Sequence, residues 1–152
     1  MINTEIKPDW ALVYTGVIKN WLSPEDALSI IDPELINALD PDKISDLYVS
    51  QDMGKEAFVK SLEKIKPFTQ QELIDASSIW GIYFLQNIYK SEKDIQEKLR
   101  DIADIWAMLD YPISWKQFIY YQPAEEGNAT GNEALYERFL LFLKEANVKL
   151  SI

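Results

Sequence analysis

The stretch Glu72-Leu-Ile-Asp-Ala-Ser-Ser-Ile-Trp-Gly-Ile-Tyr-Phe-Leu-Gln-Asn-Ile-Tyr89 decides the fold. Leu73, Ile74, Ile79, Trp80, Ile82, Tyr83, Phe84, Leu85 and Ile88 point in every direction around a 3.6-residue period and show no two-residue alternation. A segment this long exceeds an ordinary strand, and a helix that is apolar all round is normally a buried central one. Thr69 followed by Glu72 supplies a capping box at its start, in which each side chain reaches the other's backbone N–H. Gly81, inside the segment, predicts a place where another element comes close. The uncharged run Ala76 to Tyr89 has 14 residues, short of the roughly 20 that cross a bilayer.

On either side the spacing is again helical. Ile95, Leu99, Ile102, Trp106 and Leu109 step by four and three, which is one helix face, as do Leu135, Phe139, Phe142, Ala146 and Leu150. Ala11, Leu12, Val17, Ile18 and Trp21 predict a first helix ending near Asn20. Phe58, Leu62 and Ile65 predict another that Pro67 stops. Three helix starts repeat one arrangement: Ser23-Pro24-Glu25, Asp32-Pro33-Glu34 and Asp40-Pro41-Asp42. A short polar side chain caps free amides, proline at the first position loses no hydrogen bond, and the acid suits the positive helix end. Further capping boxes are expected at Ser114 with Gln117 and Thr130 with Glu133, with Ser91 and Asp94 a weaker one. Ala124 to Asn132, with Gly127, Asn128 and Gly131, reads as a loop. The pattern predicts one all-α domain over residues 1–152, a cluster of about seven helices. Ile74, Trp80, Phe84 and Ile88 are expected at its centre, against Leu99, Ile102, Trp106, Phe139 and Phe142.

Composition then narrows the chemistry. The 152 residues hold 25 Asp plus Glu against 15 Lys plus Arg, a formal charge of −10, with no His and no Cys. Thiol chemistry, disulfides and Cys or His zinc sites are excluded. So are His-based acid–base catalysis and the Ser-His-Asp triad. A polyanion repels such a chain, so nucleic acid is not an expected ligand. The length permits burial of about 70% of the unfolded surface, enough for a core without staples. Residues 1–14 have no apolar signal core, and a cytoplasmic location is expected.

The charge is uneven. Residues 23–52 hold eight acids, Glu25, Asp26, Asp32, Glu34, Asp40, Asp42, Asp46 and Asp52, against Lys43 alone. Helix capping explains part of this set. A concentrated negative field that attracts a basic partner would explain the rest. Asp40, Asp42, Asp46 and Asp52 lack the glycine and glutamate of an EF-hand loop. Glu97, Asp101 and Asp104 share a helix face but have Lys93, Lys98 and Arg100 close in sequence, as expected of a solvated face. No Gly-rich phosphate loop occurs. Residues 110–123 are aromatic-rich, with Tyr111, Trp115, Phe118, Tyr120 and Tyr121 among them, and tyrosine and tryptophan are the residues of binding hot spots as well as of cores.

Asp110-Tyr111-Pro112 followed by Phe118-Ile119, Tyr121 and Pro123, then a loop and a closing helix, resembles a bacterial family known as domain of unknown function twenty-two forty-seven. The segment from Trp10 through Tyr14 to Gly16, and Trp21-Leu22-Ser23, fit as well; Gln122 departs from the pattern, where methionine is expected. The resemblance brings no enzyme chemistry with it. Small acidic helical proteins of this kind are similar in character to immunity proteins of bacterial toxin systems. The leading expectation is therefore a non-catalytic binding protein without cofactor, an immunity-type inhibitor that neutralises a basic toxin domain. Its partner-binding residues would be Glu25, Asp26, Asp40, Asp42, Asp46, Trp115, Tyr120 and Tyr121. It would act as a monomer or weak dimer, away from nucleic acid and membrane. The alternatives are a carboxylate-based or metal-assisted hydrolase and a structural adaptor.

Overall fold

A computed structural model describes residues 4–122 and 131–152. The chain runs β1 (Thr4–Ile6), α1 (Trp10–Ile18), α2 (Pro24–Ile30), α3 (Pro33–Asn37), α4 (Pro41–Gln51), α5 (Lys55–Ile65), α6 (Gln70–Lys90) and α7 (Ile95–Met108). A 3-10 helix (Ile113–Phe118), α8 (Asn132–Ala146) and β2 (Val148–Leu150) complete it. The fold is all-α, with one two-stranded ribbon of β1 and β2 as its only sheet among the described residues. The described residues hold eight α-helices and one 3-10 helix, where a cluster of about seven was expected. Of the predicted loop from Ala124 to Asn132, residues 124–130 lie outside the described residues, as do Pro123 and the Thr130 half of the capping box, while Asn132 begins α8.

Two compact units divide the chain. The amino-terminal unit takes Glu5–Trp80 and Leu150–Ile152; the carboxy-terminal unit takes Met1–Thr4 and Gly81–Lys149. The first is built on Trp10, Val13, Val17, Ala27, Leu28, Ile31, Leu47, Phe58 and Leu62. The second is built on Leu85, Leu99, Ile102, Ala103, Trp106, Trp115, Phe118, Ile119 and Phe139.

This division corrects the expectation for α6. Ile74 is half exposed, and Phe84 and Ile88 are only partly buried. The covered positions are Ala76 and Trp80 in the first unit and Gly81 and Leu85 in the second, with Ile88 partly buried against the second core. Each set keeps helical spacing, but each unit covers only one stripe, so an apolar helix retains exposed apolar residues. Trp80 belongs to the amino-terminal unit, whereas Leu99, Ile102 and Phe139 belong to the other. Its indole N–H donates to the Leu12 carbonyl of α1 at 2.8 Å, a buried bond.

Two glycines set the packing distances. A Cβ on Gly16 of α1 would lie 2.8 Å from Cζ2 of Trp80 and 3.1 Å from Cβ of Leu22. A Cβ on Gly81 of α6 would lie 2.9 Å from Cδ1 of Leu109 and 3.0 Å from Cζ2 of Trp115. The close contact anticipated at Gly81 is thus made by an indole ring.

Helix ends follow the sequence in most places. Asp9 accepts from the Leu12 N–H at 2.9 Å, and Thr69 and Glu72 form their reciprocal box. Lys66 reinforces the box by pairing with Glu72 at 2.7 Å, which holds the Glu72 carboxyl below its ordinary pKa. Asp94, rather than Ser91, caps α7, accepting from the Glu97 N–H at 2.9 Å, while the Ser91 hydroxyl donates back to the Ile88 carbonyl. Three helices finish in a left-handed cap. After α1, Asn20 has φ 62° and the Trp21 N–H returns to the Gly16 carbonyl at 2.8 Å. After α7, Asp110 has φ 62° and the Tyr111 N–H returns to the Trp106 carbonyl at 2.9 Å. The same device stops α8 at Ala146, since Asn147 has φ 50°. Leu150, expected on the last helix, therefore stands on β2, where it is buried.

Adding a methyl group forces the Trp80 indole to move at Gly16, and the Leu109 side chain together with the Trp115 indole at Gly81. Gly16→Ala and Gly81→Ala should each lower stability by about 1–3 kcal/mol, although alanine gains up to about 1 kcal/mol of helix propensity. A urea midpoint that rises for either variant contradicts this packing. Asp110→Gly should move the midpoint the other way, by about 1 kcal/mol, because glycine occupies the left-handed cap without strain.

Candidate functional site

Two surfaces carry the expected site residues, one in each unit. The first is built by α2, α3 and α4. Ser23 caps α2, accepting from the Asp26 N–H at 3.1 Å, and Asp32 caps α3, accepting from the Glu34 N–H at 3.1 Å. Asp40 precedes Pro41 in the same way, yet its carboxylate makes no capping bond. Of the eight acids in residues 23–52, then, only Asp32 uses its side chain as a cap. Asp46 accepts from the Ser61 hydroxyl of α5 at 3.0 Å. Glu25, Asp26, Glu34, Asp40, Asp42 and Asp52 are exposed and have no side-chain hydrogen bond or ion pair among the described residues. Their field is not neutralised within the unit, and Lys43 is the segment's lone cation.

On α4 this charge is mixed with apolar surface. Ile44, Leu47 and Ser50 turn inward. Asp42, Asp46 and Val49 follow steps of four and three on the outer side, with Tyr48 beside them, and Asp52 and Met53 follow in the turn after the helix. Met53 is 70% exposed, and Tyr48 and Val49 are about half exposed. Apolar anchors among unpaired charges are the anatomy of a protein-binding face. The sequence reading missed Tyr48, Val49 and Met53. The available signal was that α4 holds more large apolar residues than its single inward stripe needs.

The second surface follows α7. Asp110 and Tyr111 are consecutive left-handed residues, at φ 62° and 59°. For a bulky residue such as Tyr111 this conformation is strained. It turns the Tyr111 ring edge-on to Trp106, with centroids 4.9 Å apart. The Trp106 indole N–H donates to the Pro112 carbonyl at 2.8 Å, fixing the turn. Tyr121 approaches the same indole at 5.9 Å, and Tyr120 stands perpendicular to Tyr121 at 5.1 Å. Tyr120 and Tyr121 are 49% and 51% exposed. The Tyr121 hydroxyl has a raised pKa, first because neighbours take water from it and then because Tyr111, Tyr120 and Asp104 disfavour a phenolate.

Trp115 does not belong to that surface. It is 4% exposed, covers Gly81, and packs on Phe118 and Phe142. The expectation of Trp115 as a partner anchor is corrected by the local geometry. The Ser114 and Gln117 capping box does not form either; Gln117 instead donates to the Ser114 carbonyl at 3.3 Å. With three residues per turn, a 3-10 helix aligns positions 115 and 118, so both aromatic side chains face the core. Ile113 is left outside, 80% exposed.

The acids of α2 to α4 and the tyrosines after α7 thus belong to different units, and each surface stands by itself. Asp101, one of the three carboxylates on α7, is paired with Lys93 at 2.6 Å, which raises the lysine's pKa. No group of three or more acidic side chains among the described residues is placed to hold a metal ion. Among these residues no helix is long and apolar enough to cross a membrane.

No curated protein and no solved structure matches the chain. Over residues 1–147 the sequence matches the family model described as an uncharacterised protein conserved in bacteria, DUF2247, and the chain belongs to that family.

Proposed function

We propose that this protein is a non-catalytic binding protein, an immunity-type inhibitor that holds a basic toxin domain in the cytoplasm. One observation carries the reading. Six exposed carboxylates of residues 25–52 have no partner among the described residues, and the same segment carries the exposed Tyr48 and Val49, with Met53 directly after it. Unpaired surface charge opposes folding through self-repulsion and gains by meeting the opposite sign. An acidic face speeds encounter with a basic partner and sets register, while apolar anchors slow dissociation. Tyr111, Tyr120 and Tyr121 offer a second contact, since exposed tyrosine faces attract lysine and arginine side chains.

The test is a surface-capture measurement against the protein encoded beside this chain's gene. A complex should form at low salt, with an association rate that falls steeply as salt rises. The double variant Asp40→Lys, Asp42→Lys should weaken it at least tenfold, mainly through the association rate. These two acids make no side-chain bond, so their reversal costs only the helix-end charge interaction, about 0.3–1 kcal/mol each, and the fold is retained. Absence of a complex at low salt, or indifference to this reversal, removes the proposal. Val49→Ala with Met53→Ala should act instead on the dissociation rate. For Trp115→Ala, a loss of about 3–5 kcal/mol in stability is expected, as for a large buried aromatic.

A further inference from the structure

The carboxy-terminal unit contains a feature that the acidic chain would not suggest. A groove of about 440 Å³ is lined by Gln86, Tyr89 and Lys90 of α6, Leu140, Leu143 and Lys144 of α8, and Lys149 of β2. Its volume lies within the roughly 300–1,000 Å³ usual for small-ligand sites. Three lysines line it, no acidic side chain does, and none of the three makes an ion pair or side-chain hydrogen bond among the described residues. Helix polarity accounts for Lys90 and Lys144, which stand in the last turns of α6 and α8. It does not account for Lys149, which stands on a strand.

The walls are held from behind. The Gln86 side-chain amide donates to the Val148 carbonyl at 2.7 Å, tying β2 to α6. Lys98 of α7 donates to the Tyr89 carbonyl at 2.9 Å and lies 5.8 Å from the Tyr89 ring, which positions that ring. Leu140 and Leu143 supply the apolar side, and Leu140 is 36% exposed. Three uncompensated ammonium groups around an apolar wall are complementary to one chemistry: a compact anionic head on an apolar body.

We infer that this groove binds a small amphiphilic anion, a carboxylate or phosphate monoester carried on a short hydrocarbon or aromatic body. The lysines take the head, the leucines and the face of Tyr89 take the body, and Gln86 keeps a carbonyl oxygen free for a donor on the ligand. The site is independent of the acidic face, which lies in the other unit.

The probes are octanoate and octyl phosphate, each below its micelle concentration, with inorganic phosphate and 1-octanol as half-ligands. Titration calorimetry should show saturable one-to-one binding of at least one amphiphile, at least tenfold tighter than either half-ligand and weakened by salt. Amide NMR shifts should centre on Tyr89, Leu140, Leu143 and Lys149. The tighter of the two amphiphiles identifies the head group. The triple variant Lys90→Gln, Lys144→Gln, Lys149→Gln should lose binding at least tenfold while melting within a few degrees of the parent. Leu140→Ser, a second and milder variant, should weaken the amphiphile without changing the response to inorganic phosphate. No saturable binding, equal affinity for 1-octanol, or an unchanged triple variant overturns the assignment. The Asp40→Lys, Asp42→Lys variant should bind the amphiphile as the parent does, so failure here and failure of the inhibitor reading are separate results.

Discussion

An indole ring in contact with a helix backbone that has no side chain is the constraint on which both units rest. In the amino-terminal unit Trp80 covers Gly16 and donates to the Leu12 carbonyl one turn earlier. In the carboxy-terminal unit Trp115 covers Gly81. Burying an indole of roughly 200 Å² at about 25 cal/mol per Å² contributes about 5 kcal/mol as an upper bound, comparable with the whole net stability of a small domain. The gain requires glycine beneath the ring, because a single methyl group would sit inside van der Waals distance. Trp80 and Gly81 are consecutive, so one step along α6 supplies the ring for one core and the bare backbone for the other.

Helix ends and charge are linked in a similar way. Proline and a short polar residue start α2, α3 and α4, and each start adds acids to the first turn. Capping requires few of them. Ser23 and Asp32 satisfy their helices, Asp46 serves Ser61, and the remaining carboxylates face water without partners among the described residues. The helix dipole is worth a few tenths of a kcal/mol for each acid, which does not explain why so few cations offset them. The surface ion pairs that do form, Lys66 with Glu72 and Lys93 with Asp101, lie outside this segment and are of the exposed kind that contributes little.

How far the molecule could be read in advance depended on whether a feature was local. Proline-headed starts, the Thr69 and Glu72 box and the ends near Asn20 and Pro67 are set by neighbours in the chain, and they were legible. Trp115 was not. Its aromatic-rich setting suited a surface or a core equally, and the 3-10 geometry that aligns it with Phe118 depends on packing against Phe142 and Gly81. Ile74 failed for the opposite reason. Its segment is apolar on every side, and periodicity cannot say which side stays uncovered. Tyr48, Val49 and Met53 went unseen because exposure of an apolar residue is decided by what is absent beside it.

From its sequence alone this chain is all-α, acidic, without thiol or imidazole chemistry, and charged most densely in residues 23–52. Those properties follow from composition, from the 3.6-residue period and from capping, none of which needs a distant contact. The tertiary structure decided the rest: two cores rather than one, which carboxylates remain unpaired, a tyrosine turn at strained backbone angles, and a lysine groove assembled from residues 86 to 149. The cores and the groove depend on residues far apart in the chain meeting at a few ångströms, and only closure of the chain into packed units brings them together.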